Sequence, residues 1–286
     1  MKGGKAPLGY TIVEVMVVLA VSAFMLVISG SFINGKTRQA SFDSGVKELA
    51  ASIQEVIQEV KDGQFSDVPL DCSANSPQVI VSAAAVSGVN KQGQNQECIF
   101  LGKVMHFSVA GNRTKYEVVP VAGSRQDVDN PAKPSTDPIQ AGAAAIPELT
   151  TLQSVPQNLD VKHVVNGNTV TAAALTRHYA IGFIQDLGSL DSGGGQVTYN
   201  AGAQTSPKIY RYPVINANAA SATTNTTVAE RLGTPYMFDA DVITLCVTNG
   251  DRFAEIIIGK STNLTVRGDV SVDIRNLGRN TSTRCF

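Results

Sequence analysis

The hydrophobic pattern divides the 286-residue chain into an apolar N-terminal segment and a mixed remainder. Residues 10–33 are almost entirely apolar, and Glu14 is the only charged residue among them. About 20 apolar residues, at 1.5 Å each along a helix, are enough to cross the hydrocarbon layer of a bilayer once. In lipid the backbone has no hydrogen-bond partner except itself, so we predict a transmembrane helix here despite its many β-branched valines.

The next segment, residues 34–62, has the pattern of an amphipathic helix. Its apolar residues recur at steps of three and four, with charged residues between them; they are Phe42, Val46, Leu49, Ile53, Val56, Ile57 and Val60. We predict that this helix ends near Lys61 with Gly63 as its C-cap, and that residues 10–62 form one long helix able to bend between Gly30 and Gly35. The apolar stripe needs a partner, which we expect to be a sheet supplied by the rest of the chain. A coiled-coil stalk is the weaker alternative.

Residues 63–286 read as strands and loops, and we expect an exported, β-rich globular domain. Residues 123–147, with several prolines, and residues 216–228, rich in Ala, Ser, Thr and Asn, have loop composition. Asn249-Gly250-Asp251 between two apolar runs predicts a hairpin. Predicted strands are Gln78–Ala83, Val104–Ala110, Lys115–Val121, Arg177–Asp186, Gln196–Asn200, Lys208–Ile215, Val242–Val247, Phe253–Ile258, Asn263–Arg267 and Ser271–Ile274. The expected fold class is therefore α+β: a long N-terminal helix packed on an antiparallel sheet, with loop insertions.

Composition and cysteine spacing point to an oxidising compartment. Charged residues make up only 16% of the chain and the net charge is −1, so nothing in the total favours nucleic acid as a required partner. The four cysteines form no CxxC pair and fall into two sequence-local couples, Cys72 with Cys98 and Cys246 with Cys285. We predict a disulfide in each couple, worth about 3.5–4 kcal/mol by loop-closure entropy. Four buried free thiols are the alternative.

The N-terminus is open to three interpretations. Lys2 and Lys5 precede the apolar run, and positive charge stays cytoplasmic, so the remainder should face outward. A secretory signal would be cut after the apolar core, at small residues such as Ser29, Gly30 or Ser31. An uncleaved signal anchor would stay intact. In the third interpretation a leader, residues 1–9, is removed before the apolar core.

The third interpretation is favoured by a resemblance. Gly9-Tyr10-Thr11-Ile12-Val13-Glu14 resembles the processing site of the type IV prepilin and pseudopilin family, which most often has Phe where this chain has Tyr10. The resemblance implies cleavage after Gly9, N-methylation of Tyr10 by the processing peptidase, and a pilin-like fold. Residues 246–270 are similar to the C-terminal strands of minor pilins and pseudopilins, in which a disulfide ties the terminus back.

Glu14 is the physical oddity of the apolar segment. A carboxylate in a membrane helix costs roughly 2.5–3.5 kcal/mol on insertion scales. Cleavage after Gly9 would create an ammonium on Tyr10, four residues away, and in a bundle of helices Glu14 could pair with the Tyr10 amine of a neighbouring subunit. That pairing would offset the desolvation of both charges and set the axial register, which is also the role that the resemblance implies. Snorkelling of Glu14 to the headgroups is the alternative.

The search for reactive chemistry predicts no enzyme, no cofactor and no metal site. The sequence has no HExxH, GxSxG, P-loop or GxGxxG motif, and His106, His163 and His178 are isolated. Asp127-x-Asp129-Asn130 has part of a calcium-loop pattern but lacks the terminal glutamate. Arg267-Gly268-Asp269 is an integrin-type tripeptide that we expect to be a turn between strands.

The function expected from these features is a structural subunit of a type IV pilus-like filament. The large exported domain favours a minor or tip pilin. Expected partners are other pilin subunits through the N-terminal helix, the prepilin peptidase, the membrane before assembly, and an extracellular surface or DNA as an open ligand. The chain would cross the inner membrane once and then enter a surface filament. The alternatives are a pseudopilin of a type II secretion-type system and a signal-anchored surface adhesin or enzyme.

Overall fold

The computed structural model describes residues 11–63, 98–109, 112–127, 129–138, 140–146, 149–166, 178–185, 187, 207–213, 238–239, 242–260 and 270–278. The leader, the predicted strands 78–83, 196–200 and 263–267, and the predicted loop 216–228 lie outside these residues. The chain divides into two compact units, Met1–Ser44 and Gly45–Phe286, which are taken separately below.

One helix, α1, runs from Ile12 to Lys61. Helical structure continues through residues 30–35, where a bend was predicted. The helix ends as the sequence predicts: Gly63 has φ +64°, and its N–H donates to the Val60 carbonyl at 3.1 Å. Only glycine adopts this left-handed conformation without strain, which confirms Gly63 as the C-cap.

The part of α1 in the second unit packs its apolar stripe into the core. Val46, Leu49, Ile53 and Val60 have no exposed surface, and Val56 and Ile57 are nearly as buried. Lys47, Glu48, Gln54, Glu55 and Gln58, which lie between them, are exposed. The predicted amphipathic pattern is confirmed, and each fully buried aliphatic side chain contributes about 1.5–3 kcal/mol.

The described residues in the remainder of the second unit form an eleven-stranded sheet, and all of its pairings are antiparallel. Its strands are β1 Cys98–Val109, β2 Asn112–Ser124, β3 Ala144–Ala145, β4 Thr151–Ser154, β5 Asp160–Asn166, β6 His178–Ile184, β7 Lys208–Pro213, β8 Phe238–Asp239, β9 Val242–Thr248, β10 Phe253–Lys260 and β11 Val270–Gly278. The main order is β11-β10-β9-β5-β6-β1-β2-β3, with β4 beside β2 and with β7 joining β6 to β8. The α+β class is therefore confirmed.

Helix α1 lies against one face of the sheet at β1 and β6. The Lys103 ammonium in β1 contacts the Glu59 carboxylate at 2.6 Å, and the Gln185 side chain after β6 donates to the Val60 carbonyl at 2.8 Å. On that same face Met105 and Phe107 of β1 are fully buried. The helix thus finds the sheet partner that its stripe requires.

The opposite face of β1 and β2 has a second apolar cluster, to which residues of the predicted loop 123–147 contribute; its described residues between 125 and 143 form turns and bends. Ala141, Ala143 and Ala145 pack there with apolar residues of β1, β2 and β6, namely Ile99, Leu101, Val104, Val119, Val121, Ala180 and Ile184. Residues 144–145 also form β3, and residues 123–124 end β2. Small alanines give no hydrophobic period, so the loop composition concealed a segment that covers the sheet.

The hairpin predicted at Asn249-Gly250-Asp251 joins β9 to β10. Phe253 pairs with Thr248, and Gly250 has φ +94°. The Asn249 side-chain oxygen accepts hydrogen bonds from the N–H groups of Asp251 and Arg252 at 3.2 and 3.0 Å. An asparagine followed by a glycine favours this turn. The asparagine side chain accepts hydrogen bonds from the backbone that follows, and the glycine adopts a positive φ without strain.

The sequence did not predict β3, β4, β5 or β8. β3 and β8 are two residues long, and all four residues of β4 are exposed, so none of the three has an alternating apolar pattern. In β5 a register shift between Val161 and His163 interrupts the alternation. The two-residue period on which strand prediction depends is therefore absent in each.

Tyr116 of β2 lies where the helix, β2 and β4 meet. Its side chain is 2% exposed, its ring packs against Phe107 with centroids 5.8 Å apart, and its hydroxyl donates to the Gln153 side chain of β4. Burial raises the pKa of Tyr116 above its ordinary value of 10.0, the Ser52 hydroxyl of α1 lowers it, and the nearby Glu55 and Glu48 carboxylates raise it further. The neutral phenol is thus the form that the fold stabilises.

We predict that the contribution of Tyr116 to the free energy of unfolding is lost at alkaline pH. A pKa raised on folding means that this contribution is fully present below about pH 10 and is lost as pH rises towards the folded-state value. Tyr116→Phe keeps the ring and removes the hydroxyl, so it should cost about 0.5–1.5 kcal/mol at pH 8. Urea unfolding of the full chain in detergent at pH 8, 9, 10 and 11 measures the free energy of unfolding of the wild type and of Tyr116→Phe. The difference between the two free energies should narrow above pH 10. A gap that stays constant or widens would contradict this.

Candidate membrane-spanning and assembly helix

The first turn of α1 is capped by a side chain. The Glu14 N–H donates to the Thr11 hydroxyl at 3.3 Å, and the Val15 N–H donates to the Thr11 carbonyl at 3.2 Å. This is one half of the Thr-x-x-Glu capping box, a signal present in the sequence that our sequence analysis missed. Thr11 therefore sets where the helix begins, and it places Glu14 in the first turn.

The first turn is also where a carboxylate costs least on an apolar helix. Unpaired N–H groups give the start of a helix a partial positive charge, which stabilises a nearby anion by about 0.3–1 kcal/mol. Glu14 is exposed, and no described residue forms an ion pair with it.

The helix around Glu14 is apolar on every side. Residues Ile12–Ser29 have a mean hydropathy of 2.6, and none of this segment is buried. The exposed large side chains are Ile12, Val13, Val15, Met16, Val17, Val18, Leu19, Val21, Phe24, Met25, Leu26, Val27 and Ile28. A core helix would bury one face, so this segment is not part of a core among the described residues.

By length and composition the segment fits a membrane. Eighteen residues extend about 27 Å along a helix, close to the thickness of a hydrocarbon layer. Lys36 and Arg38, both exposed, follow the apolar run, and Lys2 and Lys5 precede it in the sequence. The first unit therefore has an apolar helix that meets the requirements of a membrane span or of a signal sequence.

Two of the four cysteines lie in the described strands, and both are disulfide-bonded: Cys98 at the start of β1 and Cys246 in β9. Cys72 and Cys285, like Gly9 and Tyr10, lie outside the described residues, and the predicted pairing stays a prediction.

The residues considered for reactive chemistry are dispersed among the described elements. His106 of β1 lies 3.7 Å from the Glu117 carboxylate of β2, directly across the strand pair, while His163 lies in β5 and His178 in β6. The Asp127 carboxylate accepts the Asp129 N–H at 2.9 Å, as in a turn. Within the described ranges no group of three or more His, Cys, Asp or Glu side chains could hold a metal ion. Residues 267–269 lie outside them.

Comparisons of the chain with protein-family models, with curated protein sequences and with solved structures gave no match.

The disulfide pairing gives a direct test. We expect Cys72–Cys98 and Cys246–Cys285, each closing a short loop of the unfolded chain. Non-reducing proteolysis followed by mass spectrometry of the mature protein should recover these two linked peptides. Recovery of Cys72 linked to Cys246, or of Cys98 linked to Cys285, would show that the pairing is crossed.

Proposed function

We propose that this protein is a structural, non-enzymatic subunit of a type IV pilus-like extracellular filament, and that it is assembled through α1. The single observation that carries the proposal is a helix segment, Ile12–Ser29, with no buried residue and with one carboxylate in its first turn. Lipid alone would cover the apolar surface of the helix, but it would not offset the charge of the Glu14 carboxylate. A bundle of identical helices would cover the apolar surface and also bring a cation to Glu14.

The proposed route begins in the membrane. The apolar helix inserts once, Lys2 and Lys5 stay cytoplasmic, and the β-rich unit is exported. The disulfides at Cys98 and Cys246 support this orientation, because such bonds persist in oxidising compartments. A prepilin peptidase then removes residues 1–9 and methylates Tyr10, and the subunit leaves the inner membrane for the filament.

The proposed assembly contact is an ion pair between neighbouring subunits. Cleavage would create an ammonium on Tyr10, the residue that precedes the Thr11 cap in sequence, and a cation is disfavoured near the partially positive start of a helix. A carboxylate from an adjacent copy would offset both that cost and the cost of dehydrating the two charges. Glu14 is the only acidic residue in the apolar run. Pairing Glu14 with the amine of a neighbour would therefore set the axial step between subunits.

The size of the exported part favours a minor or tip pilin over the repeating major one. A pseudopilin of a type II secretion-type system would use the same helix in the same way, so it remains the alternative within the class. A signal-anchored surface adhesin or enzyme would keep residues 1–9. An extracellular surface or DNA is the ligand class expected of a tip subunit.

The cleavage site separates these classes. In a host with a prepilin peptidase, we predict that the mature chain begins at Tyr10 with a methylated amine. Gly9→Leu should leave the leader attached, because the residue before the cut must be small, whereas Gly4→Leu is the matched control and should be processed. Intact mass and N-terminal peptide analysis measure this. Wild-type protein that retains Met1–Gly9 would rule out the filament pathway, and a cut near Ser29–Ser31 would indicate a secretory signal.

Replacing Glu14 tests the assembly contact. Glu14→Gln and Glu14→Ala should insert and be cleaved normally, since they remove a costly charge and keep the backbone bond to Thr11. Incorporation into filaments should fall about a hundredfold or more, because an uncompensated buried charge costs about 3–5 kcal/mol. Glu14→Asp, which keeps the charge with a shorter reach, should assemble in part.

The measurement is the ratio of each variant in sheared filaments to the same variant in membranes. Thr11→Ala serves as the control, since it weakens the cap by about 0.5–2 kcal/mol and leaves the carboxylate in place. Equal incorporation of Glu14→Gln and the wild type would remove the role assigned to Glu14.

A further inference from the structure

Two edges of the sheet differ in how they are protected from pairing with another chain. β11, at one end of the strand order, exposes Asp273 and Arg275. Charged side chains on an edge strand oppose its extension by a further strand. β4, beside β2, exposes all four of its residues, Thr151–Ser154, and none is charged. Among the described residues β4 pairs only with β2, so one of its edges has no ladder partner there.

β4 also exposes an apolar side chain. Leu152 is 56% exposed, and it is one of two large hydrophobic residues of the second unit, with Ile274, that stand out in this way among the described residues. An uncharged edge strand with an exposed leucine is a template for strand addition.

Two carboxylates of α1 lie near the same edge. Glu48 and Glu55 are exposed, and no described cation forms an ion pair with either one. Seven residues apart, they share one face of the helix and are separated by about 10.5 Å along it. Both carboxylates raise the pKa of Tyr116, whose hydroxyl donates to the Gln153 side chain of β4, so the acidic pair lies on the side of the sheet that Gln153 faces.

We propose that Glu48, Glu55, Leu152 and Gln153, here called the β4 rim, bind an extended segment of a neighbouring filament subunit that carries two or more Lys or Arg side chains. The segment adds to β4 as a strand whose side chains alternate between the two faces of the sheet. Its cations pair with Glu48 and Glu55 on the helix face, the face of Gln153, and an apolar side chain packs on Leu152 on the opposite face. The identity of the partner as a filament subunit rests on the function proposed above. The chemistry of the partner, extended and basic, rests on an edge of β4 that no described strand covers and on two carboxylates that pair with no described cation.

Photocrosslinking in cells tests the β4 rim in the full-length chain. p-Benzoylphenylalanine in place of Leu152 should form a covalent adduct with another filament subunit, and the crosslinked peptide should contain at least two Lys or Arg residues. The same photoreactive residue in place of Asp251, exposed in the β9–β10 turn, is the control and should give no such adduct.

Charge reversal separates the acidic pair from strand addition alone. Glu48→Lys with Glu55→Lys should lower the adduct yield at position 152 about tenfold, because attraction becomes repulsion at both ends of the contact. Asp129→Lys with Asp251→Lys makes the same change in net charge at two exposed sites elsewhere and should leave the yield unchanged. Raising the salt concentration should weaken the wild-type adduct in isolated filaments.

The outcomes are distinct. An adduct yield at position 152 no higher than at position 251, or a yield that both double variants leave unchanged, overturns the proposal, as does a crosslinked peptide without basic residues. If the wild-type chain is absent from sheared filaments, the proposed function is wrong. Crosslinking of membrane-bound protein to a basic segment would then support the β4 rim as a docking surface, and its absence would overturn that as well.

Discussion

The contact between α1 and the sheet is the interaction on which the second unit depends. Most of this contact is apolar, because Val46, Leu49, Ile53, Ile57 and Val60 are buried. Two polar contacts near the C-terminus of the helix then fix its position. The Lys103 ammonium contacts the Glu59 carboxylate, and the Gln185 side chain donates to the Val60 carbonyl, which also accepts the Gly63 N–H of the C-cap. Apolar burial supplies the stability, and the hydrogen bonds supply the register.

The sheet is covered on both faces where it meets the helix, and this explains how a thin α+β arrangement obtains a core on each side. Met105, Phe107 and Tyr116 fill the helix side. Ala141, Ala143 and Ala145 fill the other side against Val104, Val119 and Val121. The alanines allow the covering backbone to lie close to the strands, so that the Ser124 N–H bonds directly to the Ala141 carbonyl at 2.7 Å. The main effect of these small side chains is to let the two backbones pack closely, rather than to bury a large hydrophobic area.

The same helix presents the opposite situation in the first unit. Between Ile12 and Ser29 no residue is buried, so no described residue covers the apolar surface of this half of α1, whereas the other half is stabilised by burying its apolar stripe. Water is an unfavourable environment for such a helix, whereas lipid or other helices are favourable ones. Glu14 adds a second requirement, because lipid cannot compensate its charge. In the proposed function, a bundle of identical N-terminal helices meets both requirements: it covers the apolar surface and places a cation of one subunit beside Glu14 of another.

The sequence by itself determined the elements that have a strong period or a strong local signal. The apolar run, the amphipathic stripe from Phe42 to Val60, the Gly63 cap and the turn at Asn249-Gly250 could all be read from residue order, because each depends on neighbours within a few positions. The Thr11–Glu14 capping pair could have been read in the same way. Only the tertiary structure decided which face of the sheet each segment covers. The alanine segment, β4 with its exposed residues, the bulged strand β5 and the meeting of Glu48, Glu55, Tyr116 and Gln153 depend on contacts between residues far apart in the chain, and no local period encodes those contacts.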